Sequence, residues 1–236
     1  MLEYFSCYCK PYLFECVSIT YISIQFITFI IIIMNAYTNI SVTGDKGGVG
    51  KSTIACLLAE WFNHHDQKVK LIDADPNQTT KTWLEKCEEA GRTISFPSSD
   101  VTIVDTAGTS GSSLIKYIKD SDLILVPFQP HVSDLEIVVG WFLSLNQTLQ
   151  KKVKFIPNRL SYTKERKEGL EEIQKVIKTE GRGELLSGLS NRPAVYPPFL
   201  NGNKINFFSD KLDEKVKDET NHLFLSITPK LEMNKK

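Results

Sequence analysis

The sequence predicts a doubly wound α/β domain, in which a mostly parallel sheet is flanked by helices on both faces. Strand-like and helix-like runs alternate along most of the chain, which is typical of a parallel sheet with crossover helices. The strand-like runs are almost continuously apolar, as is typical of strands buried on both faces. A glycine-rich segment joins the first strand to the first helix. The length of 236 residues fits one domain of this class.

Strands and helices follow one another in regular order from the first strand onward. The strands are predicted near residues 38–43, 69–73, 101–105, 122–128 and 152–157. The helices are predicted near residues 51–65, 79–90, 111–119, 132–149 and 163–179. Residues 181–203 are rich in Gly, Pro and Asn, and we predict a loop there. Ligands bind beyond the carboxyl ends of parallel strands, so the loops after the strands carry the expected site.

The glycine-rich segment has the residue types of a phosphate-binding loop and lies between a predicted strand and a predicted helix. Its glycines let the backbone turn tightly, and the N–H groups there and at the helix start form a cradle for phosphate. We expect Lys51 to reach the outer phosphates and the Ser52 hydroxyl to bind Mg²⁺. The predicted nucleotide-binding residues in this loop are Lys46, Gly47, Gly48, Val49, Gly50, Lys51, Ser52 and Thr53.

Carboxylates end the next two predicted strands. Asp73 and Asp75 follow the strand near residues 69–73, and Asp105 ends the strand near residues 101–105. A single carboxylate at such a position is also found as a turn residue or a helix cap. Because the carboxyl ends of parallel strands meet at one edge of the sheet, we expect all three to project toward the phosphate loop.

The run KGGVGKST, residues 46–53, resembles the deviant Walker A motif of the ParA/MinD ATPases. Asp45 stands where an ordinary phosphate loop has its first glycine, and Lys46 precedes Lys51 by five residues. The resemblance implies a P-loop NTPase that binds and hydrolyses ATP with Mg²⁺. It also implies that Lys46 reaches across a nucleotide-sandwich dimer to the partner's phosphates, so that Lys46 and Lys51 both have catalytic roles.

The same resemblance gives roles to two of the carboxylates. Asp105 resembles the Walker B aspartate, which holds Mg²⁺ through water. Asp73-Ala74-Asp75-Pro76 resembles the switch motif of ParA proteins, in which the second aspartate, here Asp75, orients the attacking water. The family has Gln directly after this Pro, whereas here Asn77 intervenes before Gln78, so no role is carried over to Gln78.

Later segments resemble the small ParA proteins of plasmids and mobile elements. Pro157-Asn158-Arg159 matches the Asn-Arg step that contacts adenine in these families, and an Asn amide can pair with both a donor and an acceptor on a base edge. Asn158 is equally typical of a turn residue after a proline. The other matching segments are Thr80-Lys81-Thr82-Trp83, residues 121–127, Gln129-Pro130, Ser133-Asp134-Leu135 and, more loosely, residues 192–207 and 209–227.

The net charge of zero, from 28 basic and 28 acidic residues, excludes a globally basic nucleic-acid binder. Any contact with DNA must therefore come from a local patch. Arg192 is the first candidate, because it matches a late-domain arginine of the ParA pattern. Lys204, Lys211 and Lys215 are weaker candidates, and each of these cations is equally consistent with an ordinary solvated surface.

Three of the five cysteines lie within the first 16 residues, and none follows Cys87. That distribution argues against the iron-protein branch of the resembled superfamily, whose cluster ligands lie at later positions. Neither a disulfide framework nor a zinc-ligand spacing is present, which suits a reducing cytosol. We expect a cytoplasmic, nucleoid-associated protein.

Residues 1–33 form a hydrophobic N-terminal extension that precedes a single predicted ATPase domain at residues 34–236. Residues 17–34 carry no formal charge and have about the length of a short membrane span. Three interpretations remain open: a misassigned start codon with translation beginning at Met34, a membrane anchor, or an extra soluble element. We favour the first, because Met34 lies a few residues before the first predicted strand, where the short ParA proteins that the chain resembles begin. An anchor would also press the domain against the bilayer.

The resemblance implies a DNA-partition ATPase that dimerises on ATP, binds DNA without sequence preference and is stimulated by a ParB-like partner. One alternative is a MinD-like membrane-positioning ATPase, which needs a basic amphipathic C-terminal helix. Pro229 interrupts the tail here, so membrane binding is not expected. Another alternative is a metabolic ATP-dependent ligase on the same fold, such as the cobyrinic-acid or dethiobiotin synthetases. Lys46 and the segment at residues 73–76 favour the partition class.

Overall fold

A computed structural model describes residues 37–108, 112–161, 164–207 and 212–228. Within these residues, six strands form one sheet in the order β2-β3-β1-β4-β5-β6, and every neighbouring pair is parallel. The predicted doubly wound parallel sheet is therefore confirmed. The strands are β1 Asn39–Val42, β2 Val69–Ala74, β3 Val101–Thr106, β4 Leu123–Phe128, β5 Val153–Pro157 and β6 Glu184–Leu185.

Helices connect these strands and cover both faces of the sheet. They are α1 Lys51–His64, α2 Thr79–Glu89, α3 Ser112–Asp120, α4 Val132–Ser144, α5 Gln147–Gln150, α6 Lys164–Glu180, α7 Tyr196–Leu200 and α8 Glu214–Ile227. Among the described residues, none of these helices has both the length and the apolar character needed to cross a bilayer. The hydrophobic extension at residues 1–33 lies outside the described part of the chain, so its three interpretations stay predictions.

Two hydrophobic cores lie on opposite faces of the sheet, and β4 shows how the strands divide between them. Leu123 and Leu125 point into a core built with α1, α2 and α8, whereas Ile124 and Val126 point into a core built with α3, α4 and α6. All six residues of β4 are buried. Burial on both faces explains why these strands appear as continuous apolar runs in the sequence.

The structure corrects two predicted boundaries. The helix predicted at residues 132–149 is two helices, because Leu145 adopts an extended conformation and the Asn146 side chain caps α5 by accepting from the Leu149 N–H at 3.0 Å. The predicted loop at residues 181–203 contains β6 and α7. The two residues of β6 are too few to show a periodic pattern, and α7 begins Tyr196-Pro197-Pro198, where proline is tolerated only because it lies in the first turn.

Candidate nucleotide-binding site

The glycine-rich loop follows β1 and ends at α1, as predicted. Gly48 and Gly50 have φ of 75° and 96°, a left-handed region that residues with a Cβ rarely adopt. Gly50 is the N-cap of α1, and in the described structure no side chain caps this end of the helix. The first N–H groups of α1 are therefore available to an anion, which the positive end of the helix dipole also favours.

Lys51 is the first residue of α1 and is buried, with 6% of its surface exposed. Its Nζ donates to the backbone carbonyl of Lys46 at 2.7 Å, so the lysine folds back over its own loop. Burial lowers the pKa of Lys51, although the negative charges of Asp105, Asp75 and Asp45 oppose the shift. A bound phosphate would add negative charge here and favour the charged ammonium.

Asp105 lies at the carboxyl end of β3 and is fully buried. Its Oδ2 accepts a hydrogen bond from the Thr80 hydroxyl at 2.6 Å, and the Ser52 hydroxyl lies near enough to lower the pKa of Asp105. Desolvation nevertheless raises the pKa of Asp105 to about 6. The structure thus brings together Ser52 and Asp105, the two residues predicted to hold magnesium.

The second carboxylate oxygen of Asp105, Oδ1, is buried and has no hydrogen-bond partner in the described structure. An unpaired buried carboxylate oxygen is costly, so it fits a site that a water or a hydrated cation completes. The described residues include no group of three or more His, Cys, Asp or Glu that could hold a metal ion. Mg²⁺ commonly takes one or two protein ligands together with substrate phosphates and waters, so this sparse donor set fits a magnesium–nucleotide complex.

Asp73 and Asp75 shape the loop between β2 and α2. Asp73 pairs in register with Asp105, and its two oxygens accept from the Asp75 N–H at 2.9 Å and the Lys81 N–H at 2.8 Å. Asp73 therefore organises the turn, a role that the sequence analysis did not assign. Asp75 accepts from the Asn77 N–H at 2.9 Å and lies close enough to Lys51 to act on its pKa.

Gln78, to which no role was carried over, is exposed and has a φ of 53° as the N-cap of α2. Its side-chain oxygen accepts from the Lys81 ammonium at 3.4 Å, which is a long contact. Gln78 therefore has a structural position at the start of α2, where it contacts Lys81 of the same helix.

Lys46 extends from the loop toward α4. Its Nζ lies 3.2 Å from Oδ1 of Asp134, and 35% of the Lys46 side chain remains exposed. The predicted role of Lys46 at a partner's phosphates concerns a second subunit, so it stays a prediction.

Asn158 and Arg159 follow β5, as predicted, but the Asn158 side chain already has a structural partner. Its Nδ2 donates to the Val49 carbonyl at 2.8 Å, and a Cβ at Gly50 would overlap the same amide. Asn158 therefore packs against the phosphate loop. Arg159 is exposed with a φ of 52°. That these two residues contact adenine stays a prediction.

The candidate DNA-binding residues do not form a purely basic patch. Nη2 of Arg192 lies 2.9 Å from Oε1 of Glu219, and the same oxygen accepts a hydrogen bond from the Ser190 hydroxyl at 2.7 Å. Hydrogen bonding to Glu219 raises the pKa of Arg192. The groove that contains Arg192 and Lys215 is also lined by Asp218 and Glu219, so it carries both signs of charge.

The other two candidates lie elsewhere or outside the described residues. Burial raises the pKa of Glu60 on α1, and the positive charge of Lys204 is one of the influences that lower it. Lys211 lies outside the described part of the chain. Contact of these residues with DNA stays a prediction.

Two residues important to the site were given no role from the sequence. Thr80 holds Asp105, but a threonine in the first turn of a helix gives no pattern that predicts this. Gly108, after β3, approaches the phosphate loop so closely that a Cβ there would lie 2.8 Å from the Gly47 nitrogen. The Asp-Thr-Ala-Gly sequence that ends β3 is the one signal that could have indicated it.

Comparison with known proteins agrees with this geometry. The family described as the CobQ/CobB/MinD/ParA nucleotide binding domain matches residues 40–204. A curated relative, "Protein ParA" of Rhizobium radiobacter, is 30% identical over an alignment of 114 residues, and the match covers 41% of this chain and 50% of that protein. The chain thus spans about half the length of this relative.

Solved structures share the fold at low sequence identity. A putative plasmid partition protein of Borrelia burgdorferi B31 bound to AMPPNP has a TM-score of 0.58 at 17% identity and covers 84% of this chain and 99% of its own. An ATP complex of a Cyanothece McdA variant has a TM-score of 0.62 at 15% identity, covering 83% and 96%. Septum site-determining protein MinD with Mg-ADP from Pyrococcus horikoshii OT3 has a TM-score of 0.61 at 14% identity, covering 80% and 95%.

Proposed function

Because this chain belongs to the family of CobQ/CobB/MinD/ParA nucleotide-binding domains, we propose that it is an ATPase of DNA partition. Its ATP-bound form would dimerise, bind DNA without sequence preference and be stimulated to hydrolyse ATP by a ParB-like partner. The observation that carries the proposal is the convergence of a two-lysine phosphate loop with Asp105 and the loop of Asp75 at one edge of the sheet. The relative named ParA favours partition over the other members of the family.

Nucleotide binding rests on the phosphate loop and α1. The N–H groups between Gly47 and Thr53 would contact the phosphates, and Lys51 would exchange its bond to the Lys46 carbonyl for a phosphate oxygen. Mg²⁺ would be held by the Ser52 hydroxyl and, through water, by Asp105, where it would neutralise charge on the phosphates. Asn158 and Arg159 are the proposed adenine contacts.

Hydrolysis rests on Asp75, which would orient the attacking water. Asp73 supports this role because it fixes the turn that carries Asp75, through the bond to the Asp75 N–H. Positioning and electrostatic stabilisation supply most of the catalysis in phosphoryl transfer, so a site that a partner must complete would turn over slowly alone.

Dimerisation rests on Lys46. Two triphosphates brought face to face repel unless cations lie between them. Lys46 is partly exposed, but Asp134 in its ion pair is buried, so moving the lysine away takes a charge partner from a buried carboxylate and carries a cost. The partner's phosphates would have to offset this cost when Lys46 moves to them and becomes the second lysine of the partner's site.

DNA binding is tested by titrating labelled duplex DNA with the full chain at two salt concentrations, with and without ATP and Mg²⁺. We expect ATP-dependent binding that weakens steeply with salt, because each phosphate contact releases counterions. Arg192→Ala should reduce both the affinity and the salt slope, whereas Arg166→Ala on α6 is the control. Liposomes form a parallel arm: ATP-dependent binding to them without DNA binding would replace partition with membrane positioning.

A further inference from the structure

The hydroxyl of Thr80 lies against the carboxylate of Asp105. The two oxygens are 2.6 Å apart, and both residues are fully buried. Thr80 belongs to the first turn of α2, whereas Asp105 ends β3. An ionised carboxylate only accepts hydrogen bonds, so the threonine hydroxyl is the donor. A short bond from a hydroxyl to a carboxylate is among the stronger hydrogen bonds in proteins.

Cys56 of α1 completes the surroundings of this hydroxyl. Its Sγ lies 3.7 Å from the Thr80 oxygen and is also fully buried. Burial raises the pKa of the Cys56 thiol well above its usual range, so the thiol stays protonated and donates a hydrogen bond to the Thr80 oxygen. Because Thr80 has a single hydroxyl proton and accepts from Cys56, that proton is directed to Asp105.

We propose that Thr80 is a positioning residue for magnesium: by holding Oδ2 of Asp105, it leaves Oδ1 as the oxygen that receives the hydrated Mg²⁺ of a bound nucleotide. The proposal rests on the proposed function, because it needs a magnesium–nucleotide complex in the site. Its independent support is that Oδ1 is buried and has no partner in the described structure, whereas Oδ2 has the short bond to Thr80. Outer hydrogen bonds of this kind orient the groups that hold a metal.

The same helical turn ties Asp105 to the loop of Asp75. The N–H of Lys81, the residue after Thr80, donates to Asp73 at 2.8 Å, and Asp73 in turn accepts from the Asp75 N–H. The first turn of α2 thus bonds both Asp105, the carboxylate proposed for magnesium, and Asp73, the carboxylate that organises the turn of Asp75. This first turn of α2 therefore links the proposed magnesium position to the loop of Asp75.

The test compares Thr80→Val with wild-type protein, using Mn²⁺ as the metal probe and AMPPNP as the nucleotide. Valine keeps the shape of threonine but cannot donate. Electron paramagnetic resonance titration of the full chain with AMPPNP should show Mn²⁺ affinity reduced by about 10- to 100-fold, the usual effect of losing such a support. AMPPNP affinity measured in EDTA should change less than about twofold, because the hydroxyl acts through the metal.

Two further variants separate positioning from general damage. Thr80→Ser keeps the hydroxyl and should restore most of the Mn²⁺ affinity. Thr82→Val changes an exposed threonine of the same helix and should leave Mn²⁺ affinity unchanged. If the valine variant does not fold, as judged by circular dichroism, Thr80→Ala takes its place with the same expected loss.

Wild-type Mn²⁺ affinity in the folded Val or Ala variant would overturn the proposal and leave the proposed function intact. An equal loss in the Ser variant would also overturn it, because the hydroxyl would then not be the cause. If wild-type protein binds no AMPPNP with or without metal, the proposed function fails first and this inference fails with it.

Discussion

A single added methyl group at Gly108 should weaken nucleotide binding. A Cβ there would lie 2.8 Å from the Gly47 nitrogen and 2.9 Å from both the carbonyl carbon and the oxygen of Lys46. Real Cβ atoms essentially never approach another atom more closely than 3.0 Å, so this pair must separate by a few tenths of an ångström. The neighbours are backbone atoms, so no side-chain rotation relieves the overlap, and the phosphate loop itself must move.

The movement would displace the groups that are expected to bind phosphate. The Lys46 carbonyl is the present partner of the Lys51 ammonium, so a shifted loop also shifts Lys51. Overpacking a tightly packed contact costs about 1–3 kcal/mol. If that cost falls on the binding-competent loop, Gly108→Ala should weaken ATP binding by roughly 5- to 150-fold, at about 1.4 kcal/mol per tenfold change.

The assay is a fluorescence titration with a labelled ATP analogue, together with thermal unfolding. Gly140→Ala is the matched control, because nothing lies within 4 Å of a Cβ at this α4 position. The control should keep ATP affinity and gain up to about 1 kcal/mol of unfolding free energy, the usual advantage of alanine over glycine in a helix. Gly108→Ala protein with unchanged ATP affinity and unchanged melting temperature would refute the reasoning.

Four further predictions concern the charged residues of the site. Lys51→Ala should weaken ATP binding by more than about tenfold (~1.4 kcal/mol) in the same titration, and unchanged affinity would remove the phosphate-loop assignment. Asp75→Ala should bind ATP but release phosphate far more slowly, so wild-type turnover in a phosphate-release assay would make Asp75 structural. Lys46→Gln should lose ATP-dependent dimerisation in sedimentation velocity while monomeric binding persists, and an intact ATP dimer would contradict its bridging role. Because the folded-state pKa of Asp105 is raised to about 6, protonated Asp105 contributes most to the stability of the metal-free fold below its unfolded-state pKa near 3.8, and this contribution is lost as the pH rises through about 6. Asp105→Asn should therefore raise the melting temperature above that of wild type by more at about pH 7.5 than at about pH 5, and an equal gain at both pH values would contradict the assignment.

The fold could be predicted because its signals are local and repeated. Each central strand is a short apolar run followed by a helical run, and parallel pairing then places Asp73, Asp75 and Asp105 at one edge. The same rule brings Ser52 to Asp105 without any knowledge of contacts. The break at Leu145 was missed because the apolar pattern runs through it, although Asn146 is a residue type that favours the N-cap position it takes in α5.

Contacts between residues distant in sequence could not be predicted. Arg192 pairs with Glu219 of α8, 27 positions away, and the pairing depends on how the segment after β6 returns to that helix. The Asn158 amide binds the Val49 carbonyl across 109 positions. In both cases the residue type indicated a polar partner, but only the tertiary structure decides which one.

Lys51 and Asp105, the two charged groups at the centre of the site, are both buried where their charged forms are disfavoured. Burial lowers the pKa of Lys51 and raises that of Asp105, because desolvation disfavours the ammonium and the carboxylate alike. The surrounding carboxylates help Lys51 keep its charge, whereas the negative charges of Asp73 and Asp75 add to the burial cost of Asp105. A nucleotide phosphate would supply the opposite charge to Lys51, and the accompanying Mg²⁺ would supply it to Asp105. Each ligand component therefore relieves a different desolvation cost, which is a physical reason for the two to bind together and for either alone to bind weakly.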